Sequence, residues 1–183
     1  LQELTLGKVT FFGFRRIVVE RPLRLNFQAS PERLDRLKDE RAFAALAESK
    51  KKGAAAHREI EEGQAQQAAI RKALEGIAAD TVFKSRPAFE KALDAALKKA
   101  DVKLAAPLRK SVLSALSESD ESAEIVLDAD GNPEPDTDLR DNESVPLKED
   151  IHAYFDREVK PHVPDAWIDG TKTKVGYEVP FTR

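Results

Sequence analysis

The chain contains no cysteine and no methionine. Without cysteine, disulfide frameworks, zinc knuckles and thiol catalysis are excluded. Without methionine, Leu1 is not expected to be a natural start, and the sequence reads as a piece of a longer protein. No apolar run is long enough to span a bilayer, and no signal-peptide pattern opens the chain. The expectation is a cytoplasmic protein with no membrane partner. Also missing are the phosphate-cradling Gly-x-x-x-x-Gly-Lys loop, the Gly-x-Gly-x-x-Gly turn and the Gly-x-Ser-x-Gly nucleophile elbow. Nothing in the sequence is seen to carry a reaction by itself.

What remains is 183 residues, 41% hydrophobic and 34% charged. That length suits one domain, or one domain with a helical arm, and can bury a real core. Charge is unevenly spread. Residues 1–60 hold 13 Lys+Arg against 8 Asp+Glu, residues 61–120 hold 10 against 9, and residues 121–183 hold 7 against 16. A basic start suits nucleic acid, whereas an acidic end is repelled by it. Charge alone favours a blander reading, in which the two ends attract each other within one fold.

Residues 9–14 and 17–20 are rich in β-branched and aromatic side chains and read as strands interrupted at Arg15 and Arg16. Pro22 limits the second to an edge or a strand end. Residues 23–27 alternate apolar and polar, as a half-buried strand does. Arg15, Arg16, Arg21 and Arg24 therefore either line a basic surface that contacts DNA or serve as gatekeeping charges on an edge strand.

Ser30, Pro31 and Glu32 form a helix-start signal, and the lysines before Gly53 mark a break. A second helix is expected over about 54–79. Its half from 58 to 67 is almost entirely polar or Ala, which makes it the best candidate for a protruding arm, with Arg58, Gln64 and Gln67 as partner contacts. Phe89, Leu93 and Leu97, then Leu108, Val112 and Leu116, give two apolar stripes read as a packed helical hairpin. Residues 125–127 read as a short strand entering a turn at 128–133, and 134–144 as an acidic extended loop. Ile151, Tyr154, Phe155 and Val159 form a helical face that stops at Pro161. Residues 175–181 alternate as a final strand.

The fold class expected is mainly α with short β elements (α+β), small strands lying at both ends of a helical module. The expected divisions are a basic β-containing segment over 1–30, a helical arm over 31–80 and a compact C-terminal module over 81–183.

Two motifs fail on inspection. Aligning Gly131 with the invariant glycine of a calcium loop puts Val126 first and Thr137 twelfth, so Asp128 and Asp130 belong to a turn. Asn132 and Pro133 are followed by Glu134 and Pro135, which supply no stacking ring for a flipped adenine. His57, His152 and His162 carry no metal-ligand spacing and read as surface or packed residues. No metal site is expected.

The run DLRDNESVPLKEDIHAY (138–154), continued by FDREVKPHVPDAWID (155–169) and KVGYEVPFTR (174–183), resembles the C-terminal part of the modification subunit of type I restriction-modification systems. A second block, RRIVVERPLRLNF (15–27), is similar to the same family. The helical middle, about 31–120, carries little of the signature. The resemblance implies an adenine-specific DNA methyltransferase that uses S-adenosylmethionine and works on double-stranded DNA with a specificity subunit and a restriction subunit. The family's cofactor-binding glycines and Asn-Pro-Pro-Phe motif lie upstream of the segment matched, so no catalytic or cofactor-binding residue is assigned to this chain. It implies a non-catalytic module that helps position DNA and assemble the complex. The alternative is a purely structural or adaptor module with no direct DNA contact.

Overall fold

A computed structural model describes residues 2–6 and 9–178, with side chains described from Gly13 to Glu178. The fold is mixed α and β. The elements run β1 (Gln2–Leu6), β2 (Val9–Glu20), β3 (Leu25–Phe27), α1 (Pro31–Asp35), α2 (Arg41–Ala44), α3 (Ala54–Leu74), α4 (Arg86–Lys99), α5 (Ala106–Leu116), β4 (Ser117–Ser119), β5 (Asp141–Pro146), α6 (Ile151–Glu158) and β6 (Trp167–Glu178). They form two compact units, Leu1–Leu23 with Leu127–Arg183, and Arg24–Val126. The expected divisions at 30 and 80 follow chain order, whereas these units join the first strands to the last.

The helical unit is built from local signals. Ser30 caps α1, its hydroxyl accepting from the Arg33 amide at 3.3 Å, with proline at the first helical position. Gly53, at φ 66°, precedes α3 in a conformation that side chains rarely adopt. The stripes Phe89, Leu93, Leu97 and Leu108, Val112, Leu116 enter one core with Phe27, Leu34, Leu37, Ile70 and Leu74. There the Phe27 and Phe89 rings stack at 5.0 Å, and Phe83 meets Phe89 edge-on at 5.5 Å. Each such ring pair adds about 1 kcal/mol beyond the area it buries. α4 packs against α3, and α5 against α1 and α2. Between the expected hairpin partners, Arg109 of α5 bonds Asp94 of α4 at 2.5 Å.

In the sheet unit β2 is the central strand. β1 and then β5 pair antiparallel along one of its edges, and β6 along the other. Arg15 and Arg16 do not interrupt it: β2 runs unbroken through twelve residues. The irregularity lies in β6, where Arg16 pairs Lys174 and Val18 pairs Asp169, so Ile17 alone faces residues 170–173. A bulge of this kind keeps the ladder going while re-aiming the bulged side chains. Of the two alternatives that Pro22 left, an edge strand or a strand end, the structure has the strand end, since β2 is paired on both edges. Pro22 lies just beyond its end, in an isolated bridge with Pro135.

Two further expectations are corrected. Residues 125–127 are no strand but supply isolated bridges, Ile125 to Arg24 and Leu127 to Pro133, within their respective units. The end of the expected acidic loop is β5, because Val145 is fully buried against β2 and its backbone completes the ladder. Alternation along β2 puts Arg15, Ile17 and Val19 on one face, and Phe14, Arg16, Val18 and Glu20 on the other. α6 covers the first face through Phe155 and Val159, which join Ile17, Val19, Val145 and Ala166 in a second core. Burying each of the larger apolar side chains here contributes about 1.5–3 kcal/mol. Residues 179–181 of the expected final strand lie outside the described residues.

Candidate functional site

The four arginines expected at a DNA surface fall in different settings. Arg15, on the α6 side of β2, donates through Nη2 to the carbonyl oxygens of Glu149 and Leu147, the latter at 3.4 Å. It ties the turn before α6 to the sheet. Arg21 lines a groove of about 300 Å³ with Asp141, Glu143 and Glu158, so its charge sits among carboxylates. Arg24 belongs to the helical unit, where its Nη1 donates to the Ala123 carbonyl at 2.9 Å. Only Arg16 is exposed. Its guanidinium carbon stands 5.9 Å from the Phe14 ring centroid.

The register places Lys174 of β6 directly opposite Arg16, with Ser144 of β5 opposite it on the other side. Directly opposed residues point to the same face, so two cations lie side by side there. Phe14 pairs with Gly176, where a Cβ would come within 2.6 Å of Phe14 Cζ. Glycine leaves that ring room to lie across β6.

Further along the same face, Glu20 is 2% exposed, and its Oε1 accepts from Arg140 Nε at 2.8 Å and Lys172 Nζ at 2.9 Å. Lys172 also bonds Asp169 Oδ2 at 2.8 Å. That bond, with a second from the Thr171 hydroxyl, lowers the Asp169 carboxyl from 3.8 to about 2. The bulge makes this possible, since it turns Lys172 back over the sheet. The polarity here is the reverse of the expected attraction: the buried acid comes from the basic start and its cations from the acidic end. By composition the sheet unit holds 11 Lys+Arg against 16 Asp+Glu, a balance of −5, and the helical unit 19 against 17, or +2.

Of the partner-contact residues on α3, Arg58 and Gln64 are exposed. Gln67 is turned inward and donates to the Phe43 carbonyl at 2.7 Å. The polar stretch is not solvated throughout. Gly63 is buried, and a Cβ there would lie 1.7 Å from the Leu46 carbonyl oxygen. Glu59, nearer the start of α3, accepts from the Ser49 hydroxyl at 2.5 Å, a bond that lowers its carboxyl.

His57, His152 and His162 are all exposed. Among the described residues no group of three or more His, Asp and Glu is arranged to hold a metal ion. Asp128 accepts from the Asp130 and Asn132 amides at 2.9 and 2.8 Å, with Gly131 at φ 84°, so the 128–133 segment is a turn. No described helix is long and apolar enough to cross a membrane.

Sequence reading passed over Lys174, Lys172, Arg140 and Glu20. The alternation read over 175–181 begins just after Lys174, and only the pairing with β2 shows which cation meets which. No protein-family model, no curated protein and no solved structure matches this chain.

Proposed function

We propose that the chain is a non-catalytic, C-terminal part of the modification subunit of a type I restriction-modification system. In this reading it helps position DNA for an adenine-specific methyltransferase and assembles with the specificity and restriction subunits in the cytoplasm. One observation carries the proposal. The blocks at 15–27 and 138–183, which carry the resemblance, lie more than a hundred residues apart in sequence, yet residues 15–20 of the first form a sheet with β5 and β6 of the second. A shared signature spread over distant segments is what a common fold demands when those segments are hydrogen-bonded neighbours. S-adenosylmethionine belongs to the parent enzyme in this reading, and no residue here is assigned to it. The polar face of α3 around Arg58 and Gln64 is the surface proposed for partner subunits.

The test is the gene sequence upstream of Leu1. A glycine-rich strand–turn–helix and an Asn-Pro-Pro-aromatic motif are expected in frame. A start codon immediately before Leu1 overturns the proposal.

A second reading, a structural or adaptor module with no DNA contact, draws support from the internal bonds of Arg15, Arg24 and Gln67. It predicts that the intact chain is not retained by DNA on a gel.

A further inference from the structure

We infer that Arg16 and Lys174 form a two-cation clamp for the phosphate backbone of double-stranded DNA, on the face of the sheet turned away from α6. The inference rests on the proposed reading of the chain as a DNA-positioning module, and it names the surface that does the work.

The argument begins with a local cost. Directly opposed residues of antiparallel strands hold their Cβ atoms about 5 Å apart, and like charges so placed destabilise the sheet. Arg16 and Lys174 stand in that relation, and neither forms an ion pair with an acid among the described residues. On this face β5 contributes Asn142, Ser144 and Pro146, none of them acidic. Glu20 and Asp169 are already held by Arg140 and Lys172. Glu178 lies on the same face two positions beyond Gly176 and bonds to neither cation. The repulsion is therefore left standing in the isolated chain, and a bound anion relieves it.

The surroundings fit a phosphodiester. The Phe14 ring supports the Arg16 head by a cation–π contact, which holds the guanidinium over the sheet. Gly176 gives the ring its space, and Ser144 stands opposite Arg16 with a hydroxyl to donate. Two cations side by side suit phosphate contacts, which position a duplex without reading its sequence.

Charge complementarity selects the occupant and its side of approach. On or beside α6, Glu149, Asp156 and Glu158 are each paired with a cation, Arg157 or Lys160, whereas Arg16 and Lys174 bond no described acid. A polyanion is attracted to the unpaired positive charge of the Arg16–Lys174 face.

The test uses the whole chain and a short labelled duplex of arbitrary sequence, with affinity read by fluorescence anisotropy between about 50 and 200 mM salt. Arg16→Ala and Lys174→Ala are each expected to weaken binding and to reduce the slope of log affinity against log salt by about 0.9, and the double variant by about twice that. Arg16→Lys and Lys174→Arg are expected to keep the slope, and Lys148→Ala, an exposed lysine elsewhere, to leave it unchanged. Melting temperatures of the Ala variants should stay level or rise, because each removes a like-charge contact. A cation with a purely structural role would lower them.

Slopes equal to that of the unaltered chain overturn the inference. So does loss of an acidic partner subunit with DNA affinity intact, which would assign the face to protein. Absence of any DNA binding at low salt overturns it as well. Co-purification of the same chain with the specificity and restriction subunits then reports separately whether the assembly reading stands.

Discussion

Replacing Gly63 by alanine sets two effects against each other, and the structure decides the sign. In a free helix the change stabilises by about 1 kcal/mol, because glycine is the poorer helix former. At Gly63 of α3, however, the new Cβ would sit 1.7 Å from the Leu46 carbonyl oxygen and 2.5 Å from its carbon. Ordinary contact begins near 3.4 Å, so the helix and the short 3-10 turn over Ala45–Ala47 must part by well over an ångström. The obstacle is backbone and cannot rotate aside. Overpacking of this kind costs about 1–3 kcal/mol, and strain on the Gln67–Phe43 bond adds about 1 kcal/mol. The net expectation is a loss of roughly 2 kcal/mol. Urea unfolding followed by far-UV circular dichroism measures it. Gln64→Ala, one residue along on the exposed face, serves as the control and should stay within about 0.5 kcal/mol of the parent. A Gly63→Ala variant as stable as the parent, or more so, would refute the close packing of α3 on that turn.

Replacing both Arg140 and Lys172 by alanine strands the Glu20 carboxylate in a site 2% exposed. With the two cations themselves partly in water, the expected loss is roughly 2 kcal/mol by denaturant unfolding, more than either single change alone; an unaffected double variant would show that Glu20 needs neither partner. Asp120 accepts from the Ser122 hydroxyl, the Asn26 side chain and the Ser122 amide, which lower its carboxyl from 3.8 to about 2. Because the folded state favours the charged form, the stabilisation is complete above pH 3.8 and is lost as pH falls through about 2. A carboxyl-carbon NMR titration should find that midpoint, and Ser122→Ala should raise it; a midpoint at the ordinary value in the unaltered chain would contradict the bonding.

The helices of this protein were legible where apolar spacing and caps agreed. Ser30–Pro31 opens α1, and the stripes on α4 and α5 are buried as their spacing requires. The middle of α3 was less legible. Gly63 lies within the stretch expected to be a polar arm, yet it is the place where another backbone comes close. A glycine is silent about its neighbours until they are seen, since the residue works by having no side chain. Arg33 shows the same limit: an ordinary charge in the first turn of α1, it is buried and donates to Asn26, the Leu116 carbonyl and Glu118, at 2.8, 3.0 and 2.6 Å.

Composition and spacing by themselves determined that the chain has no thiol chemistry, that its helices bury the stripes they do, and that acidic turns punctuate its second half. These are local matters, settled within a few residues by periodicity, caps and φ preferences. Tertiary structure alone decided that Arg15 and Arg16, adjacent in sequence, have opposite fates. Alternation on one strand sends Arg15 to the carbonyls before α6, and Arg16 to the open face beside Lys174. That pairing joins residues more than 150 positions apart. Register across a sheet is set by which strands meet, and local pattern does not carry that information.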